Sequence, residues 1–119
     1  MKYLTNTWPE AITFFRSVLG LHDAVIGGMQ VFSSRNFCLL KLNDVCQYSA
    51  EREFSVIYKG LQVELNEFSG PTTEEVKSCI GYDIVEAVLE EHSLWIKTLG
   101  GTLIFKFKNV RFMSAENKS

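Results

Sequence analysis

From Thr7 to Gly20 the apolar side chains Trp8, Ile12, Phe15, Val18 and Leu19 recur three and four positions apart. That spacing predicts a helix over about 8–19 with one buried face. "TWPE" (7–10) reads as a capping box, the Thr7 hydroxyl serving backbone donors and Glu10 reaching back. Pro9 falls in the first turn, where its missing N–H costs nothing, and Gly20 is a natural stop. The pattern then changes. "AVIGGMQVF" and "FCLLKLNDV" are strand-like runs on either side of "SSRN", which predicts a hairpin, with a bulge at Gly27 and Gly28.

"EFSVIYKGLQVELNEF" predicts a long strand whose parity switches at Gly60. Val56 and Tyr58 lie on one parity and Leu61, Val63 and Leu65 on the other, so a bulge or bend is expected there. "GPTTEEV" (70–76) opens a second, short helix near 73–80, with Thr72 and Glu75 as its capping box. The next segment supports two readings. Ile84, Val85, Val88, Leu89, Trp95, Ile96 and Leu99 satisfy helical spacing, and Gly100 would cap such a helix. Alternatively "SLWIKTL" pairs with "TLIFKFKNVRF" across a Gly100-Gly101 turn. In the last run Leu103, Phe105 and Phe107 alternate with Lys106 and Lys108, which predicts a closing strand.

These elements predict a single α+β domain over 1–119. An N-terminal helix would pack on a mostly antiparallel sheet of about five strands, with a short second helix before a C-terminal hairpin. Composition fits one core: 119 residues, 46% apolar and 22% charged, with nine Phe, four Tyr and two Trp. The net charge of −2 leaves no electrostatic footprint for nucleic acid or an anionic membrane. No apolar run reaches about 18 residues and the N-terminus lacks a secretory h-region, so neither a membrane span nor a leader is expected. Cys38, Cys46 and Cys79 are odd in number and far apart, which suits a reducing, cytoplasmic setting, and Cys38 reads as a small core residue.

Candidate chemistry is sparse. No phosphate-binding glycine loop, nucleophile elbow, HExxH motif or zinc spacing occurs. Glu74, Glu75, Glu86, Glu90 and Glu91 read as solvated surface. His92 shares a face with Glu90 only in a strand, so no metal site is expected on it. His22 and Asp23 are the one polar pair set between an apolar helix and a strand. They read as a carboxylate-oriented imidazole, or as a polar corner in which Asp23 turns the chain and His22 makes a structural hydrogen bond. The corner reading is preferred, since Asp readily bonds backbone groups two residues on.

Two resemblances pass through this pair. "PEAITFFRSVLGL", the helical reading of 84–99 and "GGTLIF" resemble parts of the vicinal oxygen chelate (glyoxalase/bleomycin-resistance) superfamily. That implies a small-molecule-binding or metal-dependent enzyme. "LHDAVIGGMQV", "FCLLKLNDV", "FSVIYKGLQVEL" and "GTLIFKFKNVRF" resemble, in the same order, small bacterial proteins with an "LHDA" motif related to polymorphic-toxin immunity proteins. This second resemblance is the preferred one. It implies a non-enzymatic cytoplasmic protein, without cofactor or metal, that neutralises a cognate toxin by occlusion. His22 and Asp23 would then be structural or partner-facing, and Asp44, Glu51, Glu53, Glu64 and Glu67 would lend an acidic surface. A homo-oligomer pairing through exposed edge strands is the third expectation.

Overall fold

A computed structural model describes residues 2–48 and 54–114, with 48 and 54–57 through their backbone alone. The fold is α+β, with a five-stranded antiparallel sheet, a three-stranded antiparallel sheet and an N-terminal helix.

Helix α1 (Trp8–Ser17) is capped as its sequence dictates, with one displacement. Thr7 Oγ1 accepts from the Glu10 N–H at 3.3 Å, but the Glu10 carboxylate reaches the N–H of Asn6, 2.8 Å away, rather than that of Thr7. The helix stops two residues before the expected end because Leu19, Gly20 and Leu21 take φ of 59°, 62° and 64°. Glycine accepts this left-handed turn freely and leucine does not. Burial of Val18 and Leu21 offsets that cost.

The first sheet is built from β1 (Lys2–Tyr3), β2 (Val25–Phe32), β3 (Phe37–Tyr48), β4 (Phe54–Asn66) and β8 (Asn109–Ser114), in the order β1-β8-β4-β3-β2. The expected β2–β3 hairpin closes over residues 33–36, and the Phe32 and Phe37 rings stack 4.6 Å apart at its mouth. The expected bulge lies between Ile26 and Gly28. The bulge expected at Gly60 is displaced, since the register stays in step from Leu42–Leu61 through Asn43–Gly60 to Val45–Tyr58. Leu61 is buried, Lys59 is exposed, and Tyr58 packs against the core, while Asp44 on β3 takes φ 58° nearby. The register slips one step further along, between Val45 and Cys46, so that Ile57 is the extra residue.

The second capping box is complete: Thr72 N–H donates to Glu75 Oε1 (2.8 Å) and Glu75 N–H to Thr72 Oγ1 (3.1 Å). It starts helix α2 (Thr73–Lys77), which buries Val76. Beyond it the helical reading of 84–99 is overturned. The segment forms β5 (Ile84–Glu90) and β6 (Ser93–Thr98), which continue into β7 (Gly101–Lys106) as a meander. A bulge at Val85 shifts the register between Ile84 and Glu86, which puts the inward-facing Ile84 and Ala87 three positions apart, a helix-like interval. Val85, Val88 and Leu99, which a helix would have buried, stand 41%, 42% and 85% exposed. The β6–β7 turn is Leu99-Gly100, one residue earlier than predicted, since Thr98 pairs with Gly101. The closing run also divides. At Phe107-Lys108 the chain leaves the second sheet and β8 inserts between β1 and β4 in the first.

The two sheets are joined at two corners. At one, Asp23 N–H donates to Ile84 O (3.0 Å) and Ile84 N–H to Ala24 O (2.7 Å). At the other, Ser69 and Lys106 exchange both backbone hydrogen bonds at 2.8 Å. The core between them includes the fully buried Leu21, Ile26, Leu40, Leu61, Ile96, Phe105 and Phe112. Helix α1 adds Ala11 and Phe15 and sets the Phe14 ring 5.0 Å from Phe112 and 5.7 Å from Tyr58. Among the described residues no helix is long and apolar enough to cross a membrane.

Gly70 follows the second corner, and a Cβ there would lie 2.8 Å from the Ile104 carbonyl oxygen and 3.2 Å from Phe105 Cα. These are backbone atoms of a paired strand and cannot yield cheaply. Gly70→Ala is therefore expected to cost about 1–3 kcal/mol in urea unfolding. An unchanged midpoint would show that this corner is looser than its geometry.

Candidate functional site

An antiparallel sheet with one solvated face ordinarily carries polar residues on that face. The inner face of β5-β6-β7 is regular: Ala87, Ile96 and Leu103 form one row and Leu89, Leu94 and Phe105 the next, and all except Ala87 are buried. The outer face departs from the rule at its centre. Val88 pairs with Trp95 and Trp95 with Ile104, so three apolar side chains form one cross-strand row. Val88 is 42% and Ile104 49% exposed, with Trp95 half-buried between them.

The flanking rows are polar. Glu86, Lys97 and Thr102 lie on one side and Glu90, Ser93 and Lys106 on the other. Ser93 Oγ donates to Glu90 Oε1 at 3.2 Å. The outer face thus carries an aromatic-centred apolar strip inside a rim of both charges. Helical spacing takes Val88 and Trp95 as inward positions and passes over Ile104. The signal that finds the row is the period of two in "SLWIKT" and "GTLIFK", which puts Trp95 and Ile104 opposite the buried set.

His22 and Asp23 lie at the first corner. His22 Nδ1 is 3.2 Å from Asp23 Oδ2, and the two side chains are 57% and 66% exposed. Asp23 takes φ 70°, which its short polar side chain tolerates. Both residues line a hollow of about 560 Å³. Leu19 and Cys46 line the same hollow, a meeting the linear sequence does not announce.

Among the described residues no group of three or more His, Cys, Asp or Glu side chains is placed to hold a metal ion. Of the acidic candidates, Glu51 and Glu53 lie outside the described residues, Asp44 is exposed on β3, and Glu67 faces Lys108 at 3.9 Å. Glu64 is buried and held by Arg111 at 2.8 Å, which removes it from any partner-facing role.

The three thiols are free, and only Cys46 is accessible, since Cys38 and Cys79 are buried. Burial pushes the Cys38 thiol up to about 12. Ellman's reagent is therefore expected to titrate a single thiol in the native protein, lost in Cys46→Ser, and all three in denaturant. Rapid native reaction of more than one would contradict this packing. Comparison with protein-family models, curated proteins and solved structures finds no match for this chain.

Proposed function

We propose that this protein is a non-catalytic protein-binding domain that docks its partner on the outer face of β5-β6-β7. The observation that supports it is the exposed Val88–Trp95–Ile104 row within a charged rim. The finer reading is a bacterial immunity protein acting in the cytoplasm, where its unpaired cysteines suit a reducing medium. It would neutralise a toxin by covering the toxin's working surface. That reading draws on the resemblance carried by "LHDAVIGGMQV" and the strand order behind it. Glu86, Glu90, Lys97 and Lys106 around the row would steer and orient the encounter, while the apolar strip supplies most of the affinity.

The test is co-expression with the toxin encoded beside its gene. The wild-type protein is expected to restore growth, and Val88→Glu/Ile104→Glu to lose that protection with an affinity at least about tenfold weaker. Both positions are exposed, so the variant's unfolding free energy should stay within about 0.5 kcal/mol of the parent's. Failure of the wild-type protein to bind that toxin in light scattering would sink the finer reading.

A second reading, self-association, is favoured by the charge arrangement. Glu90 and Lys106 sit at opposite edges of one row. A two-fold axis along β6 would bring each against the other in a second copy. A concentration-dependent mass that Glu90→Lys lowers and Glu90→Lys/Lys106→Glu restores would establish it.

A further inference from the structure

A cleft of about 600 Å³ opens where the β5–β6 turn meets the start of α1 and the paired ends of β4 and β8. We propose that it is a binding site for a neutral polyhydroxylated ligand, a saccharide of one or two rings. The volume falls within the range of about 300–1,000 Å³ typical of small-molecule sites. Its walls are fixed by backbone: Phe107 N–H donates to His92 O (3.1 Å) and Lys108 N–H to Asn66 O (2.9 Å). The cleft is therefore preformed, and a ligand would not have to order it.

The chemistry of the lining selects the ligand class. Asn6, Asn66 and Asn109 all face the cleft, and Asn66 and Asn109 are register partners across β4 and β8. None of the three side-chain amides bonds another described residue; Asn6 is engaged only through its backbone N–H. Each amide offers two donors and an acceptor, which matches a hydroxyl that both gives and takes a hydrogen bond. His92 contributes a further acceptor. Its Nδ1 lies 3.2 Å from the Lys108 carbonyl, which can only accept, so a neutral imidazole presents a bare Nε2. Trp8 supplies the apolar surface on which the C–H face of a sugar ring rests.

Charge argues against an anion. The cleft has two permanent cations, Lys108 and Arg111, and both are already answered. Lys108 faces Glu67, and Arg111 is bound by Glu64 and stacked 4.0 Å over the Tyr3 ring. Glu91 adds a negative charge at the rim. What stands unanswered is neutral hydrogen-bonding capacity beside an indole.

The full chain carrying Trp95→Phe leaves Trp8 as its sole tryptophan and a direct reporter of the cleft. Titration with glucose, galactose, N-acetylglucosamine and maltose, and separately with sodium phosphate, tests the assignment. At least one saccharide is expected to give a saturable change in Trp8 emission, with a Kd on the order of 1 mM. In the same background Asn66→Ala/Asn109→Ala should weaken it about tenfold or more without moving the unfolding midpoint. If that pair fails to fold, Asn6→Ala, at an exposed position ahead of the helix, should weaken binding by a few-fold. Saturation by phosphate alone, absence of any saturable saccharide response, or undiminished binding in the folded Asn variants would each overturn the proposal.

Discussion

Phe112→Ala is expected to remove about 3–5 kcal/mol of unfolding stability. Phe112 is fully buried, and its ring lies 5.0 Å from Phe14 of α1. Its backbone ties the N-terminal segment to β8, with N–H donating to Thr5 Oγ1 (3.0 Å) and C=O accepting from Leu4 N–H (2.8 Å). It also pairs with Val63 in the central strand β4. Truncation would thus open a cavity where the helix, β1 and the central strand converge. Rigid backbone around it limits the collapse that relieves such cavities. A domain of this size holds about 5–15 kcal/mol in all, so the variant should be unfolded at moderate urea. The control is Ile104→Ala, half-exposed on the outer face and expected to stay within about 0.5 kcal/mol. A Phe112→Ala loss below about 1 kcal/mol would mean that α1 does not pack on this sheet as described.

The parts of this fold set by neighbouring residues are legible in the sequence. Thr7 and Thr72 start helices because a hydroxyl beside an apolar run answers the free N–H groups that follow. The β2–β3 hairpin is equally local, a polar loop between two strand-like runs. Illegibility begins where one residue's partner is far away. The bulge at Val85 adds a position to β5 and mimics a helical interval, and only pairing with β6 reveals it as a slip. The break at Phe107-Lys108 shows in the sequence only as a change of parity, Leu103, Phe105 and Phe107 on one side of Lys108-Asn109 and Val110 and Phe112 on the other. A bulge within one strand gives the same pattern. That the halves belong to different sheets follows from distant pairing, as when Arg111 on β8 meets Glu64 on β4, 47 positions away.

The candidate sites divide along the same line. The place of His22 and Asp23, between helix α1 and strand β2, is readable from the sequence. That the corner is closed by Ile84, and shares a hollow with Cys46, follows from sheet assembly alone. The exposed Val88–Trp95–Ile104 row and the Asn-lined cleft are each built from three or more separate segments, so neither leaves a contiguous motif. Their signals are a parity in one case and an end-of-strand pairing in the other.

Glu64 shows how far a strand pattern can mislead about a single side chain, and its removal is the second large effect expected. Leu61, Val63 and Leu65 face the core, so parity turns Glu64 to the opposite side of β4, which reads as solvent; neighbouring side chains cover it instead. Arg111 Nε donates to Glu64 Oε1 at 2.8 Å, while its Nη2 lies 2.8 Å from the same oxygen as an ion pair and donates to Tyr3 OH at 3.0 Å. Tyr3 OH lies 3.2 and 3.3 Å from the two carboxylate oxygens. Glu64→Ala leaves the Arg111 guanidinium, itself only one-third exposed, without its anion. Breaking a fully buried pair in this way costs about 3–5 kcal/mol, and the partial exposure of Arg111 brings the expected loss here to about 2–3 kcal/mol. Glu64→Leu/Arg111→Met should recover much of it, because no charge is then stranded. A double variant no better than Glu64→Ala would show that packing, not the charge, is what Glu64 supplies.

Alkaline pH gives an independent reading. Partial burial first, and Glu64 second, push the Tyr3 phenol above its ordinary value, while Arg111 pulls it down. A folded-state value above the unfolded one stabilises the fold below about pH 10, and that contribution fades as pH rises through the folded value. Glu64→Gln removes one of the two leading causes and keeps an acceptor for the phenol. Its stability should therefore fall less than the parent's between about pH 9 and 11. Equal losses in the two proteins would separate Tyr3 from Glu64 and leave the carboxylate with Arg111 as its one partner of consequence.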